Sequence, residues 1–442
     1  MEYIQREFAQ LVKNKEFKFH PRCKKLGVVH VCFADDLLMF CKADLKSIRL
    51  LKQTFLKFSE ASSLQANTDK SSFYLAGISN GQKQDILQEL GYSEGTLPFK
   101  YLGVPLASKK LSIIQCWPLV EKITQRTNCW TARLLSYAGR LQLIKSILFG
   151  VQSYWAQIFL LPKKVMKMVE AICRSFLWTG TSTVSKKALV SWEKVCLPQV
   201  VGGLNVMNMI CWNKAAMAKH LWAVAKKKDC LWIRWIHTFY IKNHILEHMP
   251  IPKNAAWVVR KILETRKFIG ELQGIQGDLN SRLCQLQQGE SFNIRKLYRL
   301  QVPLLHRVPW KGIILQPNLH PKFKFILWLA LQRRLATVDR LLKFGVQVPQ
   351  QRIFCKLADE VFDHLFFEFT MTKEIWSILL KWLGHSRPIR DWQNEVNWIN
   401  QGATRKNGHW AIVTCVFGML IYTIRRDRNK LRFHGGTITV KS

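Results

Sequence analysis

The amino-acid sequence predicts an α+β protein in which short antiparallel hairpins and one helix come first and long helices follow. Two apolar runs flank a turn within His30–Phe40, a pattern typical of a β-hairpin. Apolar residues recur at helical spacing between positions 44 and 60. They do so again over Leu141–Trp155, and Pro162 ends that stripe. These three patterns define the fold class.

Further elements follow in the same order along the chain. A strand is predicted over Ser72–Gly77, and a second hairpin over Tyr101–Leu106, where Pro105 favours an edge position. Positions 117 to 225 read as a series of helices. A last apolar helix is predicted over Trp410–Phe433, and it ends in a basic run.

Asp35 and Asp36 lie at the tip of the first predicted hairpin. Burial of two adjacent carboxylates is unfavourable unless a partner such as a divalent cation compensates for it. Enzymes that transfer nucleotidyl groups use paired acids to hold two metal ions about 3.5–4 Å apart. The alternative is an ordinary surface turn, because Asp favours turns through local hydrogen bonds. The hairpin alone leaves both interpretations open.

The composition describes a basic globular protein. Among 442 residues there are 67 Lys and Arg against 29 Asp and Glu, so the formal net charge is +38, and 48% of residues are hydrophobic. The length allows about three domains. The charge predicts a polyanionic partner, first of all a nucleic acid. Because the basic residues are spread along the whole chain, a groove that follows a phosphate backbone is favoured over a membrane patch.

The cysteines and the apolar runs indicate neither disulfides nor a membrane anchor. The 12 cysteines are scattered among apolar neighbours, which is typical of free thiols in a reducing compartment. The first residues contain no apolar signal core. The uncharged runs Ser146–Leu161 and Trp410–Ile424 are shorter than the roughly 20 residues of a spanning helix, so we expect buried helices.

Several motifs in a fixed order resemble one protein family. Phe33–Asp36 resembles the third palm motif of reverse transcriptases, and Phe58–Ser71 is similar to the segment that follows it in plant LINE-type (non-LTR) retrotransposon polymerases. Leu97–Leu106 is similar to the primer-grip hairpin of that family. Further matching motifs are Trp130, Gly139-Arg140, Phe176–Gly180, Gly202–Leu204, Asn213–Ala215, Lys219–Trp222, Trp328-Leu329 and Asp363–Phe367. The resemblance covers most of the chain and corresponds to the carboxy-terminal part of such a polymerase.

The resemblance implies five segments. They are a partial reverse-transcriptase palm at 1–106, a helical thumb at 107–230, a connection at 231–290, a helical reverse-transcriptase zinc-binding-like domain at 291–385 and a basic helical tail at 386–442. The many tryptophans of the helical part are expected mainly in cores, with base stacking as the alternative.

The resemblance also implies a catalytic centre. Asp35 and Asp36 would be catalytic ligands of magnesium or manganese. The family takes a third carboxylate from an earlier strand, whereas positions 1–29 contain glutamates but no aspartate. We therefore expect a truncated RNA-directed DNA polymerase that is inactive alone, because metal geometry has large effects on such chemistry.

The resemblance also implies a set of nucleic-acid-binding residues. These residues are Lys70, Tyr101, Leu102, Gly103, Arg133, Arg140 and Lys145. Lys70 would contact a phosphate, and a solvated lysine is an equal alternative. The Tyr101 hairpin would approach the primer end, and an ordinary Gly/Pro turn is its alternative. The thumb cations would bind duplex phosphates. Separately, the family has a glycine where this chain has Ser63, which predicts strain if the backbone φ there is positive.

The zinc-binding pattern of the family is degenerate here. Its C-x-x-C, Glu, His and final Cys positions fall on Arg352, Cys355, Glu360, His364 and Phe369. Structural zinc takes four N or S donors, and Arg and Phe supply none. Only Cys355 and His364 remain as vestigial ligands, so zinc binding is doubtful. The alternative is a buried thiol and a half-buried histidine, with the domain held by packing of Phe366, Phe367 and Trp376.

Three functions stay open. The first is a truncated, inactive reverse transcriptase that still binds its RNA template, DNA primer or duplex. The second is a noncatalytic RNA-binding or DNA-binding protein derived from a retroelement, and the third is a pseudogene-like product. The life cycle of the family implies a nuclear location, although the sequence has no compelling import signal.

Overall fold

The computed structural model describes residues 2–106, 110–129, 134–302, 305–343, 345, 361–405 and 407–434. Helices dominate this part of the chain, and each of its sheets is a small pair of strands. The predicted α+β class is confirmed at this level. The assignment of a palm and a thumb stays a prediction.

The regular elements are numbered in chain order. The helices are α1 Glu2–Lys13, α2 Leu45–Ser62, α3 Asn80–Leu90, α4 Trp117–Asn128, α5 Tyr137–Ser153, α6 Trp155–Ile158, α7 Lys163–Thr179, α8 Trp192–Cys196, α9 Met209–Ala225, α10 Leu231–Ile236, α11 Trp257–Glu271, α12 Leu279–Gln285, α13 Ile294–Leu300, α14 Lys311–Ile314, α15 Pro321–Leu331, α16 Val338–Lys343, α17 Thr370–Trp382, α18 Trp392–Ala403 and α19 Gly408–His434. The strands are β1 His30–Phe33, β2 Asp36–Met39, β3 Ser72–Phe73, β4 Ser93–Glu94, β5 Phe99–Tyr101, β6 Val104–Leu106, β7 Gln287–Gln288 and β8 Ser291–Phe292.

The chain forms two compact units, and each is built from two separate stretches. Unit 1 comprises Met1–Leu111 and Met217–Phe292, and unit 2 comprises Ser112–Ala216 and Asn293–Ser442. The predicted division into five segments stays a prediction.

The first predicted hairpin of unit 1 is confirmed. β1 and β2 pair antiparallel, with Phe33 opposite Asp36, so the loop has only two residues. The first loop residue, Ala34, has a φ of 53°, which is unusual for a residue with a side chain. The hairpin packs on α1, where the rings of Phe8 and His30 are 4.7 Å apart.

Helix α2 also follows its sequence prediction. It begins after Asp44, whose side chain accepts a hydrogen bond from the Ser47 amide at 3.0 Å. It buries Leu51 and Phe58 in the core shared with α1 and the hairpin. Ser63, the residue that follows the helix, has a φ of 57°, so the position where the family has glycine does need the left-handed conformation.

The predicted strand over Ser72–Gly77 is wrong in extent. Only Ser72–Phe73 is extended in a ladder, and it pairs in parallel with β4, which also has two residues. The ladder stops because its partner is that short, and the chain then turns at Gly77, whose φ is 74°.

The second predicted hairpin is confirmed. Tyr101 lies opposite Val104, and both loop residues have positive φ, 50° at Leu102 and 75° at Gly103. This is the two-residue turn that suits the twist of a hairpin. The sheet has two strands, so Pro105 lies on an edge and costs no ladder hydrogen bond on its free side.

Unit 2 has a core rich in aromatic residues. The ring of Tyr137 on α5 stacks on Phe325 of α15, with centroids 5.3 Å apart and planes at 7°. Phe367 and Trp376 are fully buried and lie against Phe417 of α19. Most described tryptophans of this unit are buried as predicted, although Trp382 is 73% exposed.

Helix α19 is longer than the uncharged run that predicted it. Its stretch Gly408–Arg432 is long and apolar enough to cross a membrane by length and composition alone, a test that core helices of soluble proteins also pass. Val413, Phe417 and Ile421 are fully buried in unit 2. Packing within the protein therefore accounts for its apolar face.

Candidate metal centre and nucleic-acid interface

The Asp pair lies at an exposed hairpin tip in unit 1. Asp35 is the second loop residue, and Asp36 is the first residue of β2. Both side chains are exposed, so the burial cost that the sequence suggested does not arise. Their oxygens accept no hydrogen bond and form no ion pair within the described ranges. They are therefore available to an external cation.

The second hairpin lies near the Asp pair. The pKa of the Tyr101 hydroxyl is raised, first by partial burial and then by the negative charge of Asp36, with a smaller effect of Cys32. The charge on Asp36 acts on Tyr101 because the two hairpins are neighbours in unit 1. The acid hairpin and the predicted primer hairpin of unit 1 are therefore within electrostatic range of each other.

The acid pair fits a hard divalent cation only in part. Carboxylate oxygens are suitable ligands for magnesium, which commonly keeps several waters when few protein ligands hold it. A pair of metal ions needs more carboxylates than two. No cluster of three or more Asp, Glu, His or Cys side chains that could hold a metal occurs among the described residues. Of the early glutamates, Glu2 pairs with Arg6 and Glu16 with Lys46, so neither carboxylate is directed at the Asp pair.

Lys70 lies in an exposed turn of unit 1. Its backbone amide donates to the Asn67 side chain at 3.1 Å, which fixes the turn Thr68–Lys70. Its ammonium group has no carboxylate partner among the described residues. Both the phosphate contact and the solvated lysine remain compatible with this position.

The predicted thumb cations have different environments. The Arg140 guanidinium lies 5.5 Å from the Tyr137 ring centroid and covers Gly180, the residue that ends α7. A cation there faces the negative end of the helix dipole, which gives Arg140 a structural role. Lys145, on the same helix α5, is half-buried, and its pKa is lowered by burial and by the nearby Lys324. Arg133 lies outside the described residues.

The donor set of the zinc pattern does not fit zinc. Arg352, Cys355 and Glu360 lie outside the described residues. His364 is half-buried with its ring 5.7 Å from Phe369, which stands at the final cysteine position. Arginine and phenylalanine offer no donor, so two of the four positions are lost whatever their conformation.

This part of unit 2 is packed around buried aromatic residues. Phe366, Phe367 and Trp376 are fully buried, as predicted. The Asp363 carboxylate binds both terminal nitrogens of Arg333, at 2.7 and 2.8 Å. Aromatic burial and this paired contact fix the turn that contains His364.

Several family motifs hold unit 2 together. The fully buried Asn213 side chain donates to the carbonyl oxygens of Ala156 and Phe159 and accepts from the Leu161 amide. The indole of Trp328 donates to the Gly202 carbonyl oxygen at 2.8 Å. Sequence reasoning identified these motifs without a role, and the structure assigns them to packing.

The sequence prediction missed two cations, Lys324 and Arg425. Lys324 is half-buried within the apolar run of α15, and Arg425 is half-buried where the apolar part of α19 meets its basic end, one turn before the buried Arg428. The sequence could have identified Lys324 by its charge, because a lysine within the apolar run of α15 is unusual for a core helix.

Comparison with known protein families shows what the chain is related to. Residues 3–106 match the family of reverse transcriptases (RNA-dependent DNA polymerases), and residues 292–376 match the family described as zinc-binding in reverse transcriptase. The chain is derived from a retroelement reverse transcriptase. A putative ribonuclease H protein of Arabidopsis thaliana is 28% identical to it over 158 residues. That alignment covers 36% of this chain and 24% of the relative.

The candidate residues of this reverse-transcriptase-derived chain lie in different stretches, some inside the two family matches and some outside them. Asp35, Asp36, Lys70 and the Tyr101 hairpin fall within the polymerase match. His364 and Lys324 fall within the zinc-binding match. Helix α5, with Lys145, lies between the two matched stretches, and α19 lies beyond them.

Proposed function

We propose that this chain comes from a plant LINE-type retrotransposon polymerase and binds RNA–DNA duplex or its strands, but does not extend a primer by itself. The observation that carries the proposal is the exposed acid pair at the tip of the first hairpin, which lies within electrostatic range of Tyr101 on the second hairpin. It supports a primer end held beside the acid pair. The net charge of +38 supports binding through phosphates.

The residues have separate roles in this proposal. Asp35 and Asp36 would hold magnesium, which supplies positive charge to the phosphates when bound. Gly103 has no side chain, so the backbone of the second hairpin can approach the primer, while Tyr101 and the 43% exposed Leu102 present apolar surface to it. Lys70 supplies a further cation in unit 1.

Lack of extension is the second part of the proposal. The described residues bring no third carboxylate to Asp35 and Asp36. Without it, the attacking and leaving oxygens are not aligned by a complete pair of metal sites. A noncatalytic nucleic-acid-binding role is thus favoured over polymerisation by these 442 residues.

Primer extension on an RNA template, with magnesium or manganese, tests the proposal. The variants are wild type, Asp35→Asn with Asp36→Asn, and the charge-matched control Asp69→Asn with Asp85→Asn, which changes two exposed aspartates of the same unit. We expect duplex binding by all three and extension by none. Extension by wild type and control alone would show a complete metal site and contradict the proposed lack of activity.

A further inference from the structure

Unit 2 contains a cavity of about 270 Å³ beside the turn Gln199–Gly202, which we call the Gly202 turn. Gly202 has a φ of 91°, and this conformation lets the chain reverse direction there. Val201 and Gly202 line the cavity, and so does Leu197, which directly follows α8. The volume is close to the lower limit of pockets that enclose a small organic molecule. The cavity therefore has room for one small ring system.

Two other parts of unit 2 complete the walls, and hydrogen bonds hold them to the Gly202 turn. The Val308 amide donates to the Val200 carbonyl oxygen at 3.1 Å. The Gly202 carbonyl oxygen accepts from the Trp328 indole at 2.8 Å and from the Gln332 side-chain amide at 2.9 Å. These last two bonds join residues 126 and 130 positions apart. The cavity is thus shaped by the tertiary structure of the unit.

The cavity walls are mostly apolar. A Cβ added to Gly202 would lie 3.1 Å from a Val308 methyl carbon and 3.5 Å from the Trp310 ring, so both side chains reach the turn. Leu331, the last residue of α15, adds further apolar surface. The Nε2 atom of Gln332 binds Gly202, which leaves the Oε1 atom of this lining residue as an acceptor. Such a wall suits a planar ring that carries an N–H donor.

Two cations line the same cavity, whereas no acid occurs among the described residues that line it. Lys194 lies on α8 and is exposed, and Arg334 follows α15 and is half-buried. The Arg334 amide donates to the Leu329 carbonyl oxygen at 2.8 Å, which fixes this residue against the end of α15. Neither cation has a carboxylate partner within the described ranges. Positive charge is therefore available at the edge of an apolar cavity.

This combination favours a ligand with an anionic group on a planar body. The Arg334 guanidinium can donate two parallel hydrogen bonds to a phosphate, and Lys194 adds a flexible point charge. A nucleoside phosphate has both features, since its base is planar and its phosphate is anionic. Proteins bind unstacked bases of single strands in this manner, through apolar contact and hydrogen bonds to the base edge.

We propose that the cavity at the Gly202 turn binds one nucleoside phosphate, with the base against Trp310 and Leu331 and the phosphate at Lys194 and Arg334. An unstacked nucleotide of a single strand and a free nucleotide share this chemistry. The inference rests on the proposed nucleic-acid binding and adds a base-binding site in unit 2. One part of the cavity belongs to the zinc-binding match, and the Gly202 turn lies between the two family matches.

The test separates the base from the phosphate with an abasic strand. A short labelled DNA strand and an abasic strand of the same length are titrated with wild type, Lys194→Gln with Arg334→Gln, Val308→Phe, and the control Lys373→Gln with Arg390→Gln. The control removes one exposed lysine and one exposed arginine elsewhere in unit 2. We expect wild type and control to bind the strand with bases about tenfold more tightly than the abasic strand.

The two cavity variants should lose this preference in different ways. Val308→Phe fills the cavity and keeps both cations, so we expect its Kd for the strand with bases to rise to that for the abasic strand. Lys194→Gln with Arg334→Gln should raise the Kd for the strand with bases about tenfold. It should also make the slope of log K against log salt shallower by about 0.7, the value for one phosphate of a single strand. An unchanged preference in both variants would overturn the site.

Equilibrium dialysis with a labelled mononucleotide distinguishes the two sources of the ligand. If wild type binds both strands equally, a nucleotide within a strand is excluded as the ligand. Mononucleotide binding that is lost in Lys194→Gln with Arg334→Gln would then support the site with a free nucleotide, and its absence would overturn the site. If Val308→Phe does not fold, as judged by thermal unfolding, the charge variant decides alone.

The same dialysis separates failure of the site from failure of the proposed function. If wild type binds neither strand nor duplex at low salt, the proposed function fails. Mononucleotide binding that requires Lys194 and Arg334 would still support the cavity as a nucleotide site. Strand and duplex binding without any effect of the cavity variants would leave the proposed function in place and overturn the site.

Discussion

The Arg387 guanidinium donates to both carboxylate oxygens of Glu395, at 2.6 and 3.0 Å. The Glu395 side chain is fully buried, and it also accepts from the Trp376 indole and the Arg390 amide, each at 2.9 Å. Four donors therefore satisfy this carboxylate in the interior of unit 2. The network links α17 to α18.

Loss of the Arg387 side chain should strongly destabilise unit 2. Arg387→Ala leaves a buried carboxylate without its counter-ion, and we expect a loss of about 3–5 kcal/mol in the free energy of unfolding. Arg390→Ala is the control, because that side chain is exposed and only its backbone amide contacts Glu395. Urea unfolding measures both, and equal midpoints for the two variants would contradict the role of the ion pair.

Ser63→Gly should stabilise unit 1. Ser63 has a φ of 57° and an exposed side chain, so glycine removes backbone strain of about 1 kcal/mol without loss of packing. The neighbouring Ser62→Gly is the control. Ser62 is helical and donates to the Phe58 carbonyl oxygen at 2.7 Å, so this change should cost about 0.5 kcal/mol. Urea unfolding measures the free energy of unfolding of both variants. If Ser63→Gly and Ser62→Gly change it in the same direction, the end of α2 is not where we place it.

The stability of unit 2 should fall in mild acid through a histidine pair. The ring nitrogens of His385 and His409 are 2.9 Å apart, and burial, His409 and Arg387 lower the pKa of His385. A histidine with a lowered folded pKa binds fewer protons in the folded state. Its contribution is therefore complete above about pH 6.5 and is lost as the pH falls below that value.

The measurement is the thermal midpoint at about pH 7.5 and about pH 5.5. His409→Gln should reduce the difference between the two pH values, whereas the exposed His248→Gln should leave it unchanged. The effect is small because both rings have access to solvent. A larger pH difference in His409→Gln than in wild type would contradict the pairing.

Two glycines should respond to alanine in opposite directions. A Cβ added to Gly203 would lie 1.9 Å from the Leu197 carbonyl oxygen, so Gly203→Ala should cost about 2–3 kcal/mol. Gly150 is exposed in α5 and has open space at its Cβ position, so Gly150→Ala should add about 1 kcal/mol. Urea unfolding checks both, and a tolerated Gly203→Ala would contradict the packing of the Gly202 turn.

Local elements could be predicted from the sequence because their signals are local. Apolar runs on both sides of a turn predict the first hairpin, and three-and-four spacing predicts α2 and α5. Strand β3 is shorter than predicted because strand length depends on a partner elsewhere in the chain, here the two residues of β4. The positive φ at Ser63 was predictable only through the family glycine.

The arrangement of the candidate sites could not be predicted in the same way. Arg140 has the appearance of a phosphate ligand in the sequence, but its position over Gly180 depends on the packing of α5 against α7. Lys145 and Lys324 are far apart in the sequence, and only the packing of α5 against α15 brings their charges within range of each other. Asp36 and Tyr101 likewise become neighbours through the fold of unit 1.

The most direct test of nucleic-acid binding is the affinity of the purified chain for a short RNA–DNA duplex as a function of salt concentration. We predict that log K falls linearly with log salt, with a slope of about −0.9 for each phosphate neutralised on a duplex, and that several phosphates contribute. Affinity that does not change with salt, or no binding at low salt, would contradict the account.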